Sequence, residues 1–440
     1  MARANSFGLS AHARLALVQR LARRREGQEA QAASDPRGFG GIQNVKDWGL
    51  VRDAMDALGI ESPLFRVHEG RAGAHSLIGN RDVINFGSYD YLGLNGDARL
   101  HAAATQAMAR YGISASASRL VSGERPVHAE LERRIAAHYG AEAALTLVSG
   151  HATNVTLIGH LIGPRDLVLY DAAIHNSCVE GARLSGARRL PFAHNDLAAA
   201  ERELKAARRS ATRALIVIEG HYSMDGDLPD LAGFVRLARQ HDAWLMVDDA
   251  HGLGVVGATG KGIFEATGVD PAEVDIWMGT LSKTLCAAGG YIAAREELVD
   301  WLRHTAPGFV YSVGLAPPLA AAAVAAFDIM AEEPWRVARL QANARLFRDL
   351  CRVRGFDTGA SAGLGIVPVI LGSSVRAARV SGALLERGVN ALPIVFPAVP
   401  EGSARLRFFL SAEHVEADIR AAVAALAAAA DSVPAADSGV

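Results

Sequence analysis

An α/β fold, with a mostly parallel sheet and a smaller α+β unit at the carboxyl end, is predicted by three observations. Between Arg99 and Gly290, short runs rich in β-branched residues alternate with helical segments. Those runs are AALTLV (143–148), DLVLY (166–170), ALIVIE (214–219), WLMVDD (244–249), VDIWMG (274–279) and GGYIAA (289–294). They are nearly continuously apolar, as strands covered on both faces are. Polar residues follow the runs: Ser149-Gly150-His151, His175, Glu219 with Ser223, Asp248 with His251, and Thr280 with Lys283. Ligands of open parallel sheets bind beyond the carboxyl ends of the strands, so this recurrence predicts one crevice.

The totals agree with that class. The chain has 440 residues and is 50% hydrophobic, enough for one large domain and a smaller one. A formal net charge of −2, with 21% charged residues, argues against a nucleic-acid partner. The only basic cluster is RLARRR, Arg20 to Arg25. Cys178, Cys286 and Cys351 are widely spaced and odd in number, unsuited to a disulfide framework or a zinc site, which predicts a reducing cytoplasm. No signal peptide and no apolar span of about 18 residues is visible. The alanine-rich run Leu315 to Phe327 is broken by Pro317 and Pro318 and reads as a buried helix.

In chain order, residues 1–44 read as an extension: a basic amphipathic helix with Leu15, Val18 and Leu21 at helical spacing, then SDPRGFGG. A frayed or partner-covering helix is the plain reading, and docking to a carrier protein or a membrane surface the other. Residues 45–98 form a segment in which NFGSYDYLGL (85–94) returns to pack near the carboxyl-terminal unit. Residues 99–330 make the large domain. Residues 331–430 make the small one: an amphipathic helix from Trp335, then IVPVIL (366–371), VNALPI (389–394), ARLRFFL (404–410) and an alanine-rich helix. Residues 431–440, DSVPAADSGV, read as a disordered tail.

Chemistry concentrates in VDIWMGTLSKTLCAAGG (274–290), where an apolar run ends in a Gly-Thr turn and Lys283 follows. The chain has four lysines: Lys46 in a polar region, Lys205 in a charged helical run, Lys261 in a glycine loop, and Lys283. Only Lys283 has apolar sequence on both sides, which predicts a desolvated ammonium, a lowered pKa and an amine able to attack an aldehyde. Half of an ion pair is the plainer reading of such a lysine. In WLMVDDAHG (244–252), two acids at a strand end call for a positive partner, such as a protonated pyridine nitrogen, or serve as a helix cap. His175 in DAAIHNS either stacks on a planar cofactor or is a satisfied core histidine. SGHATN (149–154) ends a strand and opens a helix, whose free N–H groups suit a phosphate. HGLGVVG (251–257) matches G-x-G-x-x-G, yet more glycine follows it rather than a helix, so it does not read as a dinucleotide fingerprint. The phosphate-loop pattern fails too, because Val255 and Gly262 occupy its first glycine and its Ser/Thr positions.

Assembled, these residues make the chain resemble the α-oxoamine synthases, fold-type I enzymes that use pyridoxal 5′-phosphate (PLP). The resemblance covers roughly residues 80 to 425. It rests on YLGL (91–94), SRLVSG (118–123), HAELE (128–132), HNS (175–177), FAHND (192–196), EGHYSMDGD (219–227), DDAHGLGVVGATGKG (248–262), GTLSK (279–283), YSVGLAPP (311–318) and ARLR (404–407). It implies a seven-stranded sheet and a homodimer with its site at the interface. It implies that Lys283 carries the cofactor covalently and later moves the Cα proton, and that Asp248 sits against the pyridine nitrogen. By the same resemblance His175 stacks on the ring, and His251 and Ser223 lie near the 3′-oxygen. Thr280 with the backbone of Gly150 and His151 holds the phosphate, and Ser312 approaches the phosphate of the neighbouring subunit. Arg407 is the choice for the amino-acid carboxylate, ahead of Arg405. Two positions depart from the pattern: Tyr89 stands where many members carry Asn, and His151 where an aromatic residue usually follows the glycine. SYDYLG, PIVFPAVP and RLRFF are similar to serine palmitoyltransferase-like members and to domains that release polyketide chains from acyl carrier proteins. The activity implied is decarboxylative condensation of serine, alanine or glycine with an acyl thioester of coenzyme A or an acyl carrier protein. The alternatives are another fold-type I enzyme, an aminotransferase or lyase, and a non-catalytic partner subunit.

Overall fold

The computed structural model of the chain describes residues 37–433. The basic stretch of the N-terminal extension therefore lies outside the described residues. The strands in chain order are β1 His75–Ile78, β2 Arg81–Asn85, β3 Ala143–Leu147, β4 Leu167–Asp171, β5 Arg188–Phe192, β6 Ala214–Glu219 and β7 Trp244–Asp248. They continue as β8 Ile276–Thr280, β9 Gly290–Ala294, β10 Ile366–Gly372, β11 Val389–Asn390, β12 Leu392–Ile394 and β13 Ala404–Phe409.

Seven strands form the central sheet in the order β3-β9-β8-β7-β6-β4-β5. All neighbours are parallel except β9, which runs antiparallel to both β3 and β8. Burial explains the direction of the chain: every residue of β6, β8 and β9 is buried, so these strands need helices on both faces. Helix starts are marked by the residues that cap them. Ser149, Asp196 and Asp230 each accept a hydrogen bond from a first-turn N–H, opening the helices Gly150–Leu161, Leu197–Ala207 and Leu231–Gln240. Pro317 and Pro318 do not break the alanine-rich helix; they begin it, Pro317–Glu332, where a missing N–H costs nothing.

Two strands of the central sheet differ from expectation, and VNALPI (389–394) divides into β11 and β12, which join different sheets. β5 belongs to none of the six apolar runs: it is an edge strand, mostly solvated, with Pro191 inside it. A proline is tolerated at an edge because one side of the strand has no partner to bond. β8 begins at Ile276 and takes in Gly279 and Thr280, so the expected Gly-Thr turn is instead the last stretch of the strand.

The carboxyl-terminal part builds a three-stranded antiparallel sheet, β10-β13-β12, under the helices Trp335–Val353, Ser374–Glu386 and Glu416–Ser432. The last helix continues two residues into the expected tail, and 434–440 lie outside the described residues. The segment 85–94 does return to this region. β2 pairs with β11, Phe409 N–H donates to the Phe86 carbonyl at 3.0 Å, and Ala412 N–H donates to that of Tyr91 at 2.7 Å. Phe86, Phe347 and Phe408 form one aromatic cluster, with Phe347 and Phe408 centroids 4.6 Å apart, so this joint is packed as a core.

Candidate active site

The polar residues that follow the strands meet at one edge of the central sheet. Asp248 closes β7, Glu219 pairs with it across β6, and Thr280 closes β8. Ser149 and Gly150 follow β3, and His175 follows β4. These residues, with Tyr89, His151, Ser223, His251, Lys283 and Arg407, line a cavity of about 490 Å³.

Gly150 is required where it stands. A Cβ there would lie 2.8 Å from Thr280 Oγ1, so only glycine lets the start of this helix touch the end of β8. The first N–H groups of the helix, from Gly150 and His151, have no carbonyl partner within it, and both residues line the cavity.

Each acid and base has an assigned environment. Burial, opposed by the charges of Asp248 and Glu219 and aided by Arg407, lowers the Lys283 pKa to about 8. About a tenth of its amine is therefore free base at pH 7, far more than for an ordinary lysine. Its Nζ stands 5.7 Å from the centre of the Tyr89 ring. Of the two adjacent acids, only Asp248 faces the cavity. Its Oδ2 accepts from Asn154 Nδ2 at 2.8 Å and its Oδ1 from Ala250 N–H at 3.1 Å. Asp249 is fully buried on the other side near Tyr139, and burial, with Asp248 beside it, raises its pKa well above the usual range. Gly252 of HGLGVVG makes room for that side chain, since a Cβ there would lie 1.8 Å from Asp249 Oδ1, while Gly254 and Gly257 make room for Thr284 and Glu265. No helix follows until Ile263–Thr267, so the stretch is a packing loop.

The histidine tautomers follow from their partners. Asn154 Nδ2 donates to Ser177 Oγ at 2.9 Å, and Ser177 Oγ lies 2.7 Å from His175 Nδ1. Ser177 N–H also points to His175 Nδ1, so that nitrogen accepts and the ring proton sits on Nε2. Burial lowers the His175 pKa, against the pull of Asp248. His251 Nδ1 lies 2.7 Å from the Tyr91 hydroxyl, whose own pKa burial raises well above the ordinary value. Tyr91 thus keeps its proton and donates it, leaving the His251 proton on Nε2. Burial, with Lys283 and Arg407 close by, holds His251 neutral.

Glu219 joins two loops. Its two oxygens accept from the backbone N–H groups of His175 and Ser223, both at 2.8 Å, and burial followed by Asp248 raises its pKa to about 8. Arg407 Nη1 donates to the Ser223 carbonyl at 2.8 Å and its guanidinium stacks on Phe409, but its buried Nε has no partner. Tyr89 stands edge-on to both His251 and Phe409.

Arg405 and Ser312 are not brought to the cavity. Arg405 is paired with Asp225 and with the Ser403 and Met224 carbonyls, and Ser312 Oγ bonds only to the Val313 carbonyl at 3.3 Å. Reasoning from sequence overlooked Asn154, Ser177 and Tyr91, which hold Asp248, His175 and His251 in place. Asn154 and Ser177 lie inside motifs singled out for their neighbours, and only the contact between the two helices reveals their part.

Comparisons with known proteins identify the family. The family model described as aminotransferase class I and II matches residues 81–426. 8-Amino-7-oxononanoate synthase of Geobacter sulfurreducens is 42% identical over 390 residues, 88% of this chain and 96% of that protein. The protein of the same name from Methylobacterium nodulans is 45% identical over 354 residues, 80% of this chain and 89% of that protein. Sphingomonas wittichii serine palmitoyltransferase superposes with a TM-score of 0.84 at 29% identity, covering 89% of this chain and 99% of that one. A lysine-to-alanine variant of serine palmitoyltransferase from S. paucimobilis, solved with a bound PLP–myriocin aldimine, superposes with a TM-score of 0.85 at 28% identity over the same shares, 89% and 99%.

The residues present fit that cofactor. Lys283 offers an amine for its aldehyde, Asp248 an anion for its ring nitrogen, and the N–H groups of Gly150 and His151 donors for its phosphate, beside the Thr280 hydroxyl, which donates to the Gly289 carbonyl at 2.9 Å. Two buried atoms at the cavity, Asn154 Oδ1 and Arg407 Nε, have hydrogen-bonding capacity left over for a bound molecule. The chain belongs to the aminotransferase class I and II family and, within it, is an α-oxoamine synthase: a PLP-dependent enzyme that joins an α-amino acid to an acyl thioester with loss of carbon dioxide.

Proposed function

We propose that the amino acid is alanine and that the residues act as follows. Arg407 holds the substrate carboxylate, Lys283 carries the cofactor and, once released from it, removes the Cα proton. When bound, PLP supplies an electron sink that stabilises the negative charge left at Cα. Asp248, fixed by Asn154, keeps the ring nitrogen cationic, and His175 covers the ring face with its Nε2–H free to donate. Cα bonds to the acyl carbon, the thiolate leaves and is protonated, the carboxylate departs as carbon dioxide, and a proton returns to Cα. Ser223 and His251 border the cofactor's 3′-oxygen, and Ser312 serves the phosphate of a second subunit in a homodimer. Residues 99–330 and 331–430 act as the large and small domains, and the enzyme works in the cytoplasm. Among the described residues no helix is long and apolar enough to cross a membrane.

Alanine is supported by the name of the relatives. In 8-amino-7-oxononanoate, the terminal CH3–CH(NH2) unit is what alanine leaves after losing its carboxylate, and the remaining seven carbons are the acyl half. A second reading of the acyl half has its own support. That seven-carbon chain ends in a carboxylate, whereas the arginine and lysine of the cavity, Arg407 and Lys283, already have roles. Ile394 and Ala398 line the cavity and Phe396 between them is 64% exposed, which suits an acyl chain that ends in a methyl group.

The observation that carries the reaction is the pairing of an amine of lowered pKa with a buried carboxylate in one cavity. Lys283→Ala is expected to fold but to lose the PLP absorbance that borohydride bleaches, and to turn over at least about 1,000-fold more slowly. The wild type is tested by thiol release from heptanedioyl and octanoyl thioesters of coenzyme A and of an acyl carrier protein, with alanine, serine or glycine. Near-normal condensation by Lys283→Ala would refute the reaction, and preference for serine would refute the choice of alanine.

A further inference from the structure

We infer that His194, held between Asp171 and Asp227, is a positioning residue: it pins the 219–228 loop so that Ser223 and Arg407 stand correctly for the amino acid. The inference rests on the reading of Arg407 as the carboxylate ligand. It concerns a group outside the cavity, in the FAHND stretch that the reaction does not use.

The geometry is a clamp across three strand ends. His194, just beyond β5, directs Nδ1 to Asp171 Oδ1 at 2.8 Å, and Asp171 is the last residue of β4. Its Nε2 lies 3.3 Å from Asp227 Oδ2, in the loop that follows β6, close enough for an ion pair but not aligned as a hydrogen bond. Asn195 repeats the connection, with its N–H to Asp171 Oδ2 at 2.7 Å and its Nδ2 to Asp227 Oδ2 at 2.8 Å. It adopts the left-handed conformation, φ 53°, to do so. Tyr222 closes the ring: its hydroxyl donates to Asp171 Oδ2 at 2.8 Å, and its own ring lies edge-on to His194 at 4.5 Å. Both carboxylates are buried, so the imidazole between them is held protonated, and neutralising it would leave two buried anions facing one another.

What the clamp holds is functional at both ends. Asp171 Oδ1 also accepts from Ala173 N–H, two residues before His175. The loop pinned through Tyr222 and Asp227 carries Ser223, whose carbonyl accepts from Arg407, and Met224 and Asp225, which engage Arg405. Both arginines belong to β13 of the carboxyl-terminal sheet. The loop is therefore the surface of the large sheet against which this arginine pair rests. If it shifts, Arg407 loses the carbonyl that orients it, although no residue of the cavity has changed. The consequence falls on amino-acid binding before it falls on proton transfer at Lys283.

The test compares His194→Ala and His194→Gln with wild-type holoenzyme. KM for alanine, serine and glycine, kcat, and the amino-acid Kd from the change in bound-PLP absorbance are measured. The amino-acid KM and Kd are expected to rise about tenfold in His194→Ala, with kcat changed by less than about threefold. His194→Gln keeps a hydrogen bond to Asp171 and falls between Ala and wild type. Arg407→Gln is run in parallel. If it leaves the amino-acid KM unchanged, the reading of Arg407 is wrong; if it raises KM while both His194 variants do not, the clamp alone is refuted. A lowered melting temperature with unchanged KM and Kd would likewise refute it. Should His194→Ala not accumulate as soluble protein, His194→Gln decides the matter by the same KM and Kd readouts.

Discussion

Asn154 joins two residues of the cavity through one amide group, because its two Nδ2 protons go to Asp248 and to Ser177, and Ser177 passes the constraint to His175. Replacing it by leucine keeps the volume and removes both donors, leaving Asp248 with only a backbone N–H and the Ser177 hydroxyl, which contacts His175, without its donor. Second-layer partners of this kind are worth about 10- to 100-fold in affinity or activity, so Asn154→Leu is expected to weaken PLP binding and kcat/KM within that range. Titration of the apoprotein with PLP, followed by absorbance, measures the first, and steady-state thiol release the second. Soluble Asn154→Leu with unaltered PLP affinity would disprove the relay. Asp248, His175, Thr280 and Lys283 were legible in the sequence because each ends or follows an apolar run, and a strand's carboxyl end is where a parallel sheet presents side chains. Asn154 and Tyr91 were not, since a side chain inside a helix or a YLGL motif declares its partner only when residues 94 or 160 positions away are folded against it.

The same contrast holds among elements. Six strands were readable because their burial on both faces leaves an unbroken apolar run, and the seventh, β5, was not, because an edge strand is solvated and tolerates Pro191. Yet the loop that leaves β5 supplies His194, whose titration gives the element a measurable signature. Burial alone would lower the pKa of His194, but Asp171 from β4 and Asp227 from the loop after β6 outweigh it and push it from 6.5 to about 10. Tyr222 faces the same ring without a charge. A pKa raised by folding means that the protonated histidine stabilises the fold fully below about pH 6.5, and that this contribution is lost as pH rises through about 10. The excess melting temperature of wild type over His194→Gln is therefore expected to be largest near pH 6 and to vanish above about pH 10. Holoenzyme is the right material, since Lys283, whose depressed pKa acts in the opposite sense over part of that range, is then occupied. A difference that stayed constant between those limits would show that the contact is not an ion pair.

At the scale of the molecule, two neighbouring segments expose several large apolar side chains. Tyr311 is 86% exposed, Val121 81% and Ile113 74%, and Leu120 and Val313 beside them are also open. The two segments are tied together, with Gly314 N–H donating to the Ala117 carbonyl at 2.9 Å and His128 Nε2 lying 2.7 Å from the Leu315 carbonyl. Arg119, buried between Glu124 and Glu132, fixes the turn that carries Leu120 and Val121. Large apolar side chains grouped in this way are costly to leave in water, which is the character expected of a surface that another chain covers. Ser312 sits within it, so a second copy of the chain seated there would cover this hydroxyl, as the proposed homodimer requires. The double variant Val121→Asp, Tyr311→Asp places charge at the centre of that face while touching no residue of the cavity in its own subunit. Light scattering is expected to show the mass halved, and the monomer to bind PLP less tightly and to lose most of its thiol-release activity. A dimer of undiminished activity would place the interface elsewhere. A fully active monomer would instead show that each cavity is complete by itself, leaving Ser312 with no part in the chemistry.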